Sequence, residues 1–210
     1  MAFIALEGVE GCGKSTQSSL LTERLNANGI EAVLTREPGG TAQGQKIREL
    51  LLDPSRELSP RAEALLYAAD RAEHVAEVVR PALESGRWVV CDRFSDSYRA
   101  YQGAGRGLDG IGPISTWASC GLEPDLVIVL DLPVELGMKR IGGSFDRIES
   151  AGIDFHIRVR QAFLDLAAAE PERFSVIDAT DSVERVAELI WDAVHALSDA
   201  DRAHSEGGGR

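Results

Sequence analysis

The chain carries no excess of positive charge. Its 22 lysines and arginines are outnumbered by 34 acidic residues, for a formal charge of −12. A nucleic-acid polymer or an anionic membrane requires a basic face, so this balance argues against both as partners. Any phosphate site must then be a local basic pocket in an acidic protein. Cysteine is scarce, and Cys12, Cys91 and Cys120 have no metal-ligand spacing. An odd number of thiols and no recognisable secretory leader set the expectation of a reducing cytoplasm. No apolar run reaches membrane-spanning length. What is present is 44% hydrophobic residues in a chain of 210, enough for the core of one large domain. We expect that domain over residues 1–197, with residues 198–210, polar and glycine-bearing, as an unstructured tail.

The stretch that organises the rest is Gly8-Val9-Glu10-Gly11-Cys12-Gly13-Lys14-Ser15, followed by Thr16. Its spacing, G-x-x-x-x-G-K-S, is that of a phosphate-binding loop. The context fits. Phe3-Ile4-Ala5-Leu6-Glu7 reads as a buried strand, and Gln17 to Asn28 as a helix with Leu20, Leu21 and Leu25 on one face. Glycines let the backbone wrap an anion with successive N–H groups pointing inward. The helix N-terminus adds partial positive charge. Lys14 then reaches the outer phosphates of a bound nucleotide, and Ser15 offers an oxygen to Mg²⁺.

Downstream, short apolar runs alternate with helical periodicities. Strands are expected at Glu31–Thr35, Trp88–Cys91, Leu126–Leu130 and Phe174–Ile177. Ser59-Pro60 opens a long helix whose apolar set is Leu65, Leu66, Ala69, Val75, Val78 and Val79. Ser95 to Gly107 reads as helix early and loop later. The apolar strands lack period-2 alternation, which means an α/β domain with a parallel sheet covered on both faces. In such sheets ligands bind beyond the carboxyl ends of the strands. The loops Gly8–Lys14, Arg36–Thr41, Asp92–Arg93 and Asp131 should therefore converge. Asp92 reads either as a second acidic group near Mg²⁺ or as a strand-end carboxylate capping a neighbouring helix. Arg93 reads either as a bidentate clamp on a transferring phosphate or as half of a structural ion pair.

Six segments together resemble the bacterial type of thymidylate kinase, within the P-loop nucleoside monophosphate kinases. They are Gly8–Thr16, Thr35-Arg36-Glu37-Pro38-Gly39-Gly40-Thr41, Asp70-Arg71-Ala72-Glu73-His74, Asp92-Arg93-Phe94, Ala100–Gly107 and Asp146-Arg147-Ile148-Glu149. They run in family order over nearly the whole chain. The resemblance implies a P-loop kinase fold with a five-stranded parallel sheet, helices on both faces and a short lid near residues 141–153. It implies transfer of the ATP γ-phosphate to dTMP with Mg²⁺, giving dTDP and ADP on the way to dTTP, and a homodimer. On the ATP side it implies Gly8, Val9, Glu10, Gly11, Cys12, Gly13, Lys14, Ser15 and Thr16, with Arg140 flanking adenine and Ser15 and Asp92 at the metal. On the dTMP side it implies Glu10 near the sugar, Arg36, Pro38, Arg48, Arg93 and Ser97 around the phosphate and sugar, and Tyr67 stacked on thymine. Arg71 hydrogen-bonds a base carbonyl, Tyr101 packs under the sugar, and Gln102 lies beside the base.

Gly11 occupies a position where one branch of the family carries an arginine. The other branch supplies the charge from its lid. Here the lid is short, with no basic residue between Arg140 and Arg147, so Arg147 is expected to join Lys14, Arg93 and Glu10 in catalysis, with Arg158 and Arg160 in reserve. Another nucleoside or nucleoside monophosphate kinase with the same core is the nearest alternative. A GTP-dependent switch would need an Asn-Lys-x-Asp sequence, which is absent.

Overall fold

Five short apolar runs pair into one parallel sheet. The computed structural model describes residues 1–143 and 145–207, with 198–207 described by backbone alone. The strands are β1 (Phe3–Glu7), β2 (Ala32–Arg36), β3 (Trp88–Asp92), β4 (Leu126–Asp131) and β5 (Phe174–Asp178). Their order is β2-β3-β1-β4-β5, with every pairing parallel. Successive residues of β1 point to opposite faces, and both faces are buried. Ile4 and Leu6 join one apolar cluster, and Phe3 and Ala5 join the other. This is why the strand reads as a continuous hydrophobic run.

The helices are α1 (Lys14–Ala27), α2 (Ala42–Leu52), α3 (Pro60–His74), α4 (Arg80–Glu84), α5 (Ser95–Tyr98), α6 (Gly112–Ala118), α7 (Val134–Ile141), α8 (Ile153–Ala169) and α9 (Val183–Gly207). Thr41 caps α2 by accepting from Gly44 N, and Ser59 caps α3 with Pro60 in the first turn. Of the residues expected as an unstructured tail, 198–207 continue α9, and 208–210 lie outside the described residues.

Two further expectations change. The stretch after Tyr98 stays helical as a wide turn from Arg99 to Gly105. The second of its two glycines is there for close packing: a β-carbon on Gly105 would lie 2.6 Å from the Phe155 ring and 3.0 Å from Val159. The buried face of α3 is also only in part its expected apolar stripe. Glu63, Ala64, Ala68, Asp70, Arg71 and His74 turn inward, while Leu65 is 59% exposed. The inward face borders a polar cleft, so its polar residues find partners there beside Ala64 and Ala68, while Leu65 is left outside and Val75 and Val79, past the end of α3, are buried as expected.

The phosphate loop joins β1 to α1 with Gly8, Gly11 and Gly13 all at positive φ, a conformation that costs a side-chain-bearing residue roughly 1–2 kcal/mol. Gly11 also sits back to back with Gly137 of α7. A β-carbon on Gly11 would fall 2.2 Å from Gly137 O, and one on Gly137 would fall 2.2 Å from Glu10 O. No arginine fits at position 11 in this backbone. Overpacking of this kind costs about 1–3 kcal/mol. Gly137→Ala should therefore lower the melting temperature by several degrees and raise the KM for the nucleotide held by the loop. Thermal unfolding and steady-state kinetics read the two effects, and unchanged values for both would remove the contact as a constraint.

Candidate active site

The carboxyl ends of β1, β2 and β3 open into two adjoining pockets. One, of about 830 Å³, is lined by Gly11, Gly13, Lys14, Ser15, Thr16, Arg36, Asp92 and Arg140. The other, of about 540 Å³, is lined by Pro38, Leu52, Tyr67, Arg71, Phe94, Ser97, Tyr98, Tyr101 and Gln102. Glu10, Glu37, Arg48 and Arg93 line both. Five cations thus converge in a protein of formal charge −12, the local basic pocket that the composition requires.

Lys14 is buried and folded back on its own loop. Its Nζ donates to Gly8 O at 3.2 Å and Val9 O at 2.8 Å, with Cys12 Sγ at 3.4 Å. Ser15 Oγ donates to Asp92 Oδ2 at 2.5 Å, which joins the two residues expected at a metal.

Arg93 holds the boundary between the pockets. Its backbone is left-handed, φ 72°, a conformation whose cost for a non-glycine residue is of order 1–3 kcal/mol and which clusters at functional sites. The surroundings enforce it. Arg93 N donates to Leu6 O, and the next amide, Phe94 N, donates to Glu7 Oε1 at 2.8 Å. Glu7 also accepts from Ser97 N and Ser97 Oγ. Burial, reinforced by Asp96, pushes the Glu7 carboxyl up to about 7 against these donors. The strained backbone sends the Arg93 guanidinium across β1, where Nη1 donates to Gly8 O at 3.0 Å and Nη2 lies 2.7 Å from Glu10 Oε1.

Glu10 takes a second donor, the Tyr101 hydroxyl at 2.9 Å. Burial alone would raise its pKa, but Arg93 and then Lys14 outweigh that and bring it to about 2. Arg48 donates to Pro38 O at 2.9 Å. Its pKa is lowered by burial and by the neighbouring Arg36, as expected where cations are gathered ahead of an anion.

Arg71 is fixed from behind. Nε donates to Glu37 Oε2 at 2.9 Å and Nη2 to Phe94 O at 2.9 Å. Glu37 Oε1 lies 2.8 Å from His74 Nδ1, and His74 Nε2 lies 2.7 Å from Thr35 Oγ1. His74 is structural, as a buried histidine with two partners should be. Arg71 Nη1 and the Tyr98 hydroxyl, both from residues lining the second pocket, are buried without a partner.

Of the four residues expected in catalysis, Lys14, Arg93 and Glu10 line the phosphate pocket and Arg147 does not. Its Nε donates to Leu51 O at 2.7 Å and its Nη1 to Glu63 Oε2 at 2.6 Å. Arg160 is paired with Asp131, and Arg158 donates to Gly105 O. Arg140 lines the phosphate pocket and donates to Ala179 O at 3.1 Å. Asp131, expected among the converging loops, lines neither pocket. The sequence reading missed Glu7, Glu37, Glu63 and Tyr98. Glu7 had a signal, a lone charge ending an apolar strand, and Glu63 another, one helical turn before Tyr67.

The arrangement suits two anions held face to face across Arg93. Comparisons with known proteins show the family. The family model described as thymidylate kinase matches residues 6–190. A thymidylate kinase of Clavibacter sepedonicus is 56% identical over 200 residues, covering 93% of this chain and 95% of its own. One from Deinococcus radiodurans is 52% identical over 196 residues, covering 91% and 95%. The crystal structure of a thymidylate kinase from Ehrlichia chaffeensis superposes with a TM-score of 0.75 at 33% identity, covering 92% of this chain and 98% of that one.

The depressed Glu10 pKa makes stability depend on pH with a defined sign. The ionised carboxylate stabilises the fold above its ordinary value of 4.5, and that contribution is lost as pH falls towards about 2. Glu10 is 21% exposed, so solvent screens part of it. Glu10→Gln should be less stable than the parent at pH 7, and the gap should close as the pH falls below 4.5. Urea unfolding at several pH values reads this, and a gap that stays constant down to acid pH would refute the pairing.

Proposed function

The chain belongs to the thymidylate kinase family and phosphorylates dTMP to dTDP, and from that premise we propose how its residues divide the work. The observation that carries the assignment is Arg71 Nη1, a buried donor without a partner in the apolar pocket lined by Tyr67 and Phe94. A base carbonyl satisfies it. Tyr67 stacks on the ring, Gln102 meets its edge, and Tyr101 packs under the deoxyribose with its hydroxyl on Glu10, which faces the sugar. Pro38, Ser97, Arg36 and Arg48 surround the acceptor phosphate. ATP lies along Gly8–Thr16 with adenine near Arg140.

Transfer is a direct in-line displacement. An oxygen of the dTMP phosphate attacks the γ-phosphorus, and the bond to the β-phosphate oxygen breaks, releasing ADP. A phosphate monoester is already a competent nucleophile at neutral pH, so no general base is required. The protein positions two anions and neutralises their charge. The loop amides and Lys14 hold the donor phosphates, with Lys14 giving up its contacts to Gly8 O and Val9 O. Arg93 meets both phosphates. Among the described residues no cluster of three or more carboxylate, histidine or cysteine groups stands ready for a metal. The two hard oxygens of Ser15 and Asp92 instead fit Mg²⁺, which keeps most of its shell as water and phosphate oxygen. When bound it neutralises charge on the outer phosphates.

The charge on the transferring group falls to Arg93, because Arg147 is held by Glu63 and Leu51 O. Arg93→Ala should lower kcat on the order of a thousandfold, and Lys14→Ala about a hundredfold or more. Arg147→Ala should act mainly on the KM for dTMP. Measured with ATP, Mg²⁺ and dTMP, an Arg147→Ala enzyme losing as much kcat as Arg93→Ala would move the role to the lid.

We place the enzyme in the cytoplasm as a homodimer. Leu65 of α3 is 59% exposed and Trp117 of α6 is 80% exposed, on two helices that pack against each other. A second copy of the chain covers two such side chains most simply. Sedimentation should show a dimer that Trp117→Glu with Leu65→Glu converts to monomer; a monomeric parent at micromolar concentration would refute it.

A further inference from the structure

Glu63 is a carboxylate sealed inside the protein, and three side chains aim donors at it. Oε1 accepts from Gln102 Nε2 at 3.0 Å and from Arg106 Nε at 3.1 Å. Oε2 accepts from Arg106 Nη2 at 3.0 Å and from Arg147 Nη1 at 2.6 Å. Four donors fill the usual accepting positions of an ionised carboxylate. Nothing in the phosphoryl transfer uses this residue.

The consequence lies at Gln102. A glutamine amide has two ends of nearly equal shape, one accepting and one donating, and its neighbours decide which way it faces. An ionised carboxylate only accepts. The nitrogen end must therefore face Glu63, and the oxygen end is left for the pocket that Gln102 lines. The same pocket holds the free donor of Arg71. Together they offer one donor and one acceptor in a fixed order. That order matches the imide edge of a pyrimidine, where a ring N–H adjoins a carbonyl. An amidine edge, as in cytosine, presents the reverse.

We propose that Glu63 is a positioning residue for base selection, holding the Gln102 amide in the one orientation that reads an imide. The inference rests on the dTMP kinase reading of this site. Burial would raise the Glu63 pKa, but Arg106, Gln102 and Arg147 outweigh it and hold the group below the ordinary carboxylate range. The carboxylate thus stays ionised, and acceptor-only, at neutral pH.

The test compares kcat/KM for dTMP and dCMP in the parent, Glu63→Gln and Glu63→Asp. A parent inactive on dTMP would refute the kinase reading itself and leave Glu63 without a role in it. With an active parent, Glu63→Gln offers either end of a second amide, so Gln102 can invert. The dTMP to dCMP ratio should fall at least tenfold, mainly through a higher KM for dTMP, with kcat within about threefold. Glu63→Asp keeps an acceptor-only group and should preserve the ratio even where it lowers the melting temperature. In a Gln102→Ala background, Glu63→Gln should change the ratio by less than about twofold. A folded Glu63→Gln enzyme with the parent's ratio, or an equal fall in Glu63→Asp, overturns the proposal. If Glu63→Gln does not fold, the Gln102 side-chain amide protons in the ¹⁵N-labelled parent decide. Protection from exchange without nucleotide is expected, and free exchange overturns it.

Discussion

The ion pair between Arg93 and Glu10 stands where the two pockets meet, and much of the cleft is arranged around it. A guanidinium beside two anions serves catalysis only if it is already aimed, and aiming it takes a left-handed backbone at the end of β3. That conformation is held by the Arg93 amide on Leu6 O and by Glu7 below it. Glu7 in turn gathers Ser97 and the start of α5, and the helical stretch beyond α5 carries Tyr101 back to Glu10. The chain thus closes a ring of contacts from the end of β1 through β3 and α5 to the phosphate loop. Preorganisation of this kind lets charge stabilisation act without reorganisation during the chemical step.

The same logic recurs at three other arginines of the cleft and its surroundings. Arg71 is balanced by Glu37, which His74 also contacts, and Arg106 and Arg147 are balanced by Glu63. A buried charge left unpaired costs far more than a paired one, so the carboxylates behind the cleft are what permit arginines to line it. They also explain why the inward face of α3 is polar.

The sequence shows most of the scaffold and the front of the site, but little of what stands behind it. The phosphate loop, the alternation of strands and helices and the carboxyl-end rule lead to Lys14, Ser15, Asp92 and Arg93, because each obeys local spacing. Tyr67 and Arg71 are legible as one turn of one helix. Glu7, Glu37 and Glu63 were not, since a buried carboxylate is specified by partners up to 90 residues away, and local pattern carries no such information. The contact of Arg147 was not legible for the same reason: its partner, Glu63, is 84 residues away. The packing of Gly105 under Phe155 is likewise a tertiary fact that reads locally as a helix breaker.

A cluster of cations inside a protein of formal charge −12 has a kinetic side. At physiological ionic strength fields between exposed charges fade over about 8 Å. A nucleotide approaching from solution first meets a surface that repels it and senses the arginines only near the mouth. Attraction is therefore short-ranged. Added salt then acts in two opposite directions, easing the approach by screening the acidic surface while weakening the final grip. Encounter and residence are thereby set by different parts of the molecule, and the same net negative charge repels a diphosphate once it has left the mouth.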